Sequence, residues 1–449
     1  MTPFLRSTTN NDNDLYVLGN KRGNTNAANN TQTSMEYSSS SSSSLSSTKV
    51  IPMERLLLQL LPVKNKFFRD LETHIDNPQM TSILQTGGGG GDTETWKLLS
   101  KDLEMTIGEL DRKRGLLEPV FNEQDNALLQ ITKAERGEQL IDALRNSLVD
   151  LQTTIKQGNA TAVSLCQTQA LLALASVGEL LVSTYPYNVP TEGKFSYLPR
   201  LLGRCKVTFV MRRNNKVLGN VTILADGFAA PITAGNFVDL SLRNFYTGLP
   251  IKFTKKRLGR TGSEFEVASI PILGSYNEGF YDPLTAQLRR LPLELIRIEK
   301  SSGLPTLAYS QGLSSLQGTA TLEPAERSNP KLSFETPGLV AMNHPDKNLN
   351  GASTEFFSLQ KNSMMDEKRT LLNGEFAPFG YIIEGYDLYQ TLQPNDIIDS
   401  TTVDEWGQLN LVKIRQSSFS EVVQGGEDED TNDEKNSTAT GKSKNATTL

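Results

Sequence analysis

Apolar residues between Met53 and Tyr185 recur every three or four positions, the spacing that keeps one face of a helix dry. Leu56 and Leu60 lead through Pro62 to Phe67, Leu71 and Ile75, which reads as a short segment and then a helix with proline at its entry. Trp96, Leu99, Leu103, Ile107 and Leu110 form a second stripe, and Ile141, Leu144, Leu148, Leu151 and Ile155 a third. Ala160, Val163, Leu171, Leu174, Val177 and Leu181 form the last. Each stripe can be buried only against another, and breakers at Gly87 to Gly91, Pro119 and Gly158 separate them. The pattern therefore predicts an all-α, up-and-down helical bundle over 51–185.

After Tyr185 the period changes. Pro186, Pro190 and Pro199 mark an extended linker over 186–204. Alternation at Val207, Phe209 and Met211 breaks at Asn214-Asn215 and resumes at Val217, Val221 and Ile223, which predicts a β-hairpin. The run from Asp226 to Leu240 reads as a turn feeding a short helix, with Thr233 as its N-cap and Phe237 and Leu240 facing inward. Strand, turn, helix and further strands over 205–416 give an α+β or closed-barrel order, which makes the whole an α+β chain. Residues 1–50 are rich in Asn, Ser and Thr, and the tail 417–449 carries the acidic run Glu427 to Asp430 just after Gly425. Both are expected to be disordered for want of large apolar residues.

Composition narrows the chemistry. A formal net charge of -6, with both signs mixed along the chain, gives no basic footprint for nucleic acid. Two cysteines, Cys166 and Cys205, and two histidines, His74 and His344, do not make a zinc site, so no metal or cofactor is expected. The thiols read as small apolar residues, with a single bridge as the alternative. The glycine run lacks the Lys and Ser/Thr of a phosphate loop and reads as a linker between helices. No stretch of the roughly 20 apolar residues that span a bilayer stands out, which leaves at most a peripheral membrane contact. The first fifty residues hold no apolar signal-peptide core.

Specific motifs appear in the second half. Ala230-Pro-Ile-Thr-Ala-Gly-Asn-Phe-Val-Asp-Leu240 followed by Asn244-Phe-Tyr-Thr-Gly248, then Gly338-Leu-Val-Ala-Met342, Thr354-Glu-Phe-Phe357, and Leu372-Asn-Gly374 with Phe379-Gly380, resemble the ordered blocks of cyclophilins. Tyr185-Pro-Tyr-Asn-Val-Pro190, the segment from Leu56 to Leu71 and Glu278-Gly-Phe-Tyr-Asp-Pro283 are similar to the large multidomain cyclophilins of the thylakoid lumen. The resemblance implies a closed antiparallel β-barrel with capping helices, proline-containing segments as ligands, and photosystem II subunits as partners. It places the protein in the lumen, with the cytoplasm as the alternative.

The implied activity is peptidyl-prolyl cis-trans isomerisation. Rotating the X-Pro bond crosses about 18–20 kcal/mol because the C–N bond is partly double. Cyclophilins meet it with an arginine that donates to the prolyl nitrogen, a Gln and Asn that hold the peptide, an apolar pocket, and a Trp and His at the rim. Counted along this chain, the arginine position falls on Phe253, the glutamine on Ser269, and the pocket Phe and Met on Glu266 and Val267, with Phe265 one place away. The peptide-holding pair falls on Asn343 and His344, the second pocket phenylalanine is kept as Phe357, and the rim Trp, Leu and His fall on Leu371, Leu372 and Phe376. This implies a family member that assists assembly of photosynthetic membrane complexes with weak or absent isomerase activity. The alternative is an active enzyme that recruits Arg257 or Arg260 from the inserted stretch Thr254 to Arg260. His344, beside Pro345, is expected at the surface or against peptide, and Asp366 to Arg369 as a solvated loop.

Overall fold

Buried positions in the first helices repeat the stripes. The computed structural model describes residues 52–85, 93–121, 127–183, 185, 189, 195–258, 266–283, 285–298, 305–309, 332–345, 348–361, 369 and 372–413. The glycine run, the first part of the linker apart from Val189, and the expected tails lie outside the described residues. Helices α1 (Met53–Gln59) and α2 (Lys66–Ile75) stand either side of Pro62, and Asn65 caps α2 by accepting from the Phe68 amide at 3.1 Å. A short α3 (Pro78–Gln85), which the stripes did not announce, buries Met80 and Ile83. Then come α4 (Thr93–Lys113), α5 (Ala127–Gln157) and α6 (Ala160–Leu180), with Asn159 capping the last through the Ala162 amide.

Close approach shapes α5. A Cβ on Gly137 would lie 2.6 Å from the Pro119 ring, so only glycine lets that loop pack on the helix. By length and composition α6 could cross a bilayer, which corrects the expectation that no such stretch exists. Here it packs against α1, α2, α3 and α5 and buries Val163, Leu171, Leu174 and Val177.

The second half folds as a curled antiparallel sheet. Strands β1 (Arg200–Leu201), β2 (Arg204–Arg213) and β3 (Lys216–Asp226) precede α7 (Pro231–Leu242). After α7 come β4 (Lys252–Leu258) and β5 (Glu266–Ile272), then β6 (Tyr281–Asp282), β7 (Gln287–Leu288), β8 (Glu294–Ile298) and β9 (Pro305–Tyr309). Finally β10 (Leu339–Met342), β11 (Phe356–Ser358), β12 (Pro378–Glu384), β13 (Ile397–Val403) and β14 (Leu411–Val412) follow. Six strands pair in the order β11-β10-β12-β3-β2-β13. Among the described residues, the chain entering and leaving the β4–β5 hairpin joins the two edges of that sheet at the bridges Pro250 to Ile397 and Leu273 to Phe356, with backbone hydrogen bonds such as Ile251 to Asp396 at 2.7 Å beside them. Continuous pairing among the described residues thus makes a half-barrel, where the motifs implied a closed one.

The concave side is filled by α7 and by rings. Phe237 lies 5.1 Å from Phe356 and 5.0 Å from Phe379, and Phe209 stands 5.8 Å from Tyr246. The start of α7 differs from the expected Thr233 cap. Pro231 occupies the first turn after Ala230, and the buried Glu294 carboxylate of β8 accepts from the amides of Ile232 at 3.0 Å and Thr233 at 2.6 Å. A carboxylate some sixty positions away supplies the capping that a local side chain was expected to give.

On the convex side, Leu224, Tyr381 and Leu339 face one another across β3, β12 and β10, and they join the core of the helices through Phe228. Arg204 fastens this junction. Its guanidinium donates to the Leu57 carbonyl at 2.7 Å and to Asp226 at 3.0 Å, lies 3.4 Å from Glu179 of α6, and sits over the Phe228 ring. Tyr185 stacks on that same ring at 5.8 Å. Both cysteines are free thiols, and burial pushes the Cys205 thiol far up.

Candidate functional site

Strand parity decides which side chains can share a site, because neighbours along a strand point to opposite faces. In the β10–β11 ladder Met342 pairs with Phe356 and Ala341 with Phe357. Phe356 joins the concave core, whereas Phe357 and Ala341 join the convex cluster. Leu273 bridges to Phe356 and is likewise concave, so Ile272 and Ile270 before it belong to the face of Phe357, as their burial in the same cluster shows.

The hairpin register extends that face. Ile272 stands opposite Lys252 and Ile270 opposite Thr254, while Phe253 stands opposite Pro271 and Lys255 opposite Ser269. Phe253 is half-buried against the concave core and Ser269 is exposed. The two positions counted to the arginine and glutamine therefore do not look toward Phe357. Counting along the chain ignores the ladder, and the ladder sets the facing. Arg257 occupies a position of Phe253's parity, opposite Val267. The side chains of Arg257, Glu266 and Val267, and the whole of Arg260, Phe265 and Leu371, lie outside the described residues.

Four of the remaining candidates do converge, with Asn343 beside them. Phe357 is 1 % exposed, its ring 5.1 Å from Phe376 in an edge contact and 5.9 Å from Phe334 in a parallel stack of 9°. His344 stacks on Phe376 at 4.7 Å, and its ring nitrogens lie 2.9 Å from the Pro345 carbonyl and 2.8 Å from that of Glu375. Leu372 is buried beside them in the same cluster. His344 is 7 % exposed, so of the two expected placements the surface one is corrected: the ring is packed within the nest, held by ring and carbonyl on either side.

Phe334 was not among the candidates from sequence. It roofs Phe357 from the strap before β10, where the Asn373 side chain accepts from its amide at 3.0 Å and donates to Ser333 at 3.2 Å. No spacing in Leu332 to Glu335 marks that contact, which depends on chain from the far side of β11. Arg369 corrects another expectation. It is 4 % exposed and donates to the Lys361 carbonyl at 3.3 Å, so this member of the charged cluster is not a solvated one, while Asp366, Glu367 and Lys368 lie outside the described residues.

Next to this nest the ladder continues with Asn343 opposite Glu355. The Asn343 amide donates to the Glu355 carbonyl at 2.8 Å, and its Nδ2 donates to the Glu355 carboxylate at 2.5 Å. Chemically the face offers an apolar floor, one adjacent polar pair, and the Lys252 ammonium beyond Ile272, which donates to the Ser275 hydroxyl at 3.0 Å. It can hold an apolar ring and an extended backbone. A rigid planar donor is not part of the described face.

Comparison with known proteins agrees with the motifs. Residues 208–419 match the family described as cyclophilin type peptidyl-prolyl cis-trans isomerase/CLD. The chain is 26 % identical over 354 residues to the chloroplastic peptidyl-prolyl cis-trans isomerase CYP38 of Arabidopsis thaliana, covering 78 % of this chain and 73 % of that protein. It is 28 % identical over 344 residues to the putative thylakoid lumen isomerase sll0408 of Synechocystis, covering 75 % and 81 %. With the chloroplastic CYP37 of Arabidopsis thaliana it shares 24 % over 323 residues, 68 % of this chain and 62 % of that one.

Proposed function

We propose that this chain, whose residues 208–419 match the cyclophilin-type peptidyl-prolyl cis-trans isomerase family, grips proline-containing segments and turns them over weakly or not at all. The observation that carries this reading is the roofed floor: Phe334 lies flat on Phe357 where a prolyl ring would seat. Displacing it costs ring contact, and the described residues of the face beneath hold no fixed guanidinium of the kind a twisting amide rewards. The single bridges at Pro250 and Leu273 are read as closing the barrel behind that floor. The biological role proposed is assembly of photosynthetic membrane complexes, photosystem II among them, in the thylakoid lumen. Its support is the lumenal and chloroplastic naming of the relatives. Microscopy of the tagged full-length protein tests the compartment, and a cytoplasmic signal would remove it.

A protease-coupled isomerase assay on the full chain tests the chemistry. Rates should stay near the uncatalysed background and should not change in Arg257→Ala or Arg260→Ala. Brisk turnover that disappears with either arginine would establish the alternative, an active enzyme with a replacement donor.

A further inference from the structure

We propose that the site selects segments carrying a cationic side chain, lysine or arginine, one or two positions from the residue seated on Phe357. This rests on the peptide-binding reading above and adds a substrate class to it. The carrying geometry is the pair Asn343 and Glu355, which continues the β10–β11 register one step beyond Met342 and Phe356. Since Ala341 and Phe357 face the convex side, so do Asn343 and Glu355, two residues further along each strand. Two residues of strand span about 6.6 Å, close to the distance between alternate residues of an extended peptide. A chain with its apolar ring on Phe357 thus brings a neighbouring side chain to Glu355.

A second, independent feature points to a ligand there. Asn343 is 8 % exposed, and its Oδ1 has no hydrogen-bond partner among the described residues. The amide orientation follows from chemistry, because a carboxylate only accepts, so the NH2 group must face Glu355 and the oxygen is left as an orphan acceptor. A buried acceptor without a donor costs about 1–3 kcal/mol, which an incoming N–H would recover. Glu355 is half-buried, and its carboxylate is held in place by that same amide. A fixed carboxylate beside an orphan acceptor suits a group with several N–H donors and a positive charge, as guanidinium and ammonium have. Lys252, the cation described on this face, stands two strands away across Ile272, about 9–10 Å in the pairing direction, and is engaged by Ser275.

Fluorescence polarisation with the full chain tests this, using labelled peptides with a central proline and Arg, Ala or Glu one or two positions from it. Each is measured on wild type, on Glu355→Gln and Glu355→Lys, and on the same set carrying Phe334→Ala to lift the roof. The Arg peptide should bind about tenfold tighter than the Ala peptide, less so as ionic strength rises. In Glu355→Gln the preference should shrink to about twofold or less, and Glu355→Lys should favour the Glu peptide. Equal binding of the Arg and Ala peptides, or a preference that survives Glu355→Gln, would overturn the inference while leaving the peptide-binding reading in place. Failure of every peptide to bind, even with Phe334→Ala, would overturn both.

Discussion

Lys252 and Phe253 are adjacent, yet one step along β4 turns the first toward the face of Ile272 and Phe357 and the second toward the concave core. A donor useful to a prolyl nitrogen has to stand on the former. Lys252 carries the charge but as a point cation on a flexible stem, whereas arginine offers a planar fork. Lys252→Arg should therefore raise the isomerase rate several-fold, a part of the roughly 10²–10³ that a positioned donor contributes. Phe253→Arg should not raise it, since that guanidinium would begin on the wrong side of the strand. The coupled assay on both variants decides this, and a gain at Phe253 alone would show that the hairpin register is not the one that binds substrate. The motif count leads to β4 but carries no information on which way Phe253 faces, because counting along a chain cannot see a ladder.

Among the helices, α6 carries the one carboxylate that the junction treats badly. Glu179 sits in its last turn, where the helix dipole disfavours an anion. Burial raises its pKa above the usual 4.5; Arg204 acts against that, and the charge of Asp226 adds to it. An acid whose folded pKa is raised favours the fold while it is protonated, and that contribution is lost as pH rises through the folded value. Glu179→Gln removes this loss, so the variant's melting temperature relative to wild type should climb as pH rises above about 4.5 and level off once Glu179 is ionised. A difference that stays constant across that range, measured by thermal melts, would contradict the assignment. The stripe that predicted α6 was legible because helical period is local. The shift on Glu179 was not, since it comes from β2 and β3 pressing on the helix end.

At the scale of the molecule, helices and sheet share one convex core, and Arg204 is its tie. The side chain is 1 % exposed and serves Leu57, Glu179 and Asp226 together. Truncating one member of such a group leaves buried charge unpaired, so Arg204→Met should cost about 3–5 kcal/mol in urea unfolding, and the double variant with Asp226→Leu should recover much of that loss. A single variant close to wild type would mean that water already reaches the junction.

The sequence by itself determined what depends on near neighbours. Four amphipathic stripes, the hairpin at Asn214-Asn215, the helix after Ala230 and the blocks around Phe357 all follow from period, turn chemistry and short motifs, which act over a few residues. Tertiary structure alone decided that Glu294 caps α7, that Phe334 roofs Phe357, that Phe253 looks away from the floor, and that Asn343 meets Glu355. Those contacts join distant segments, and which segments meet is settled by sheet register and shared burial, quantities that no local pattern contains.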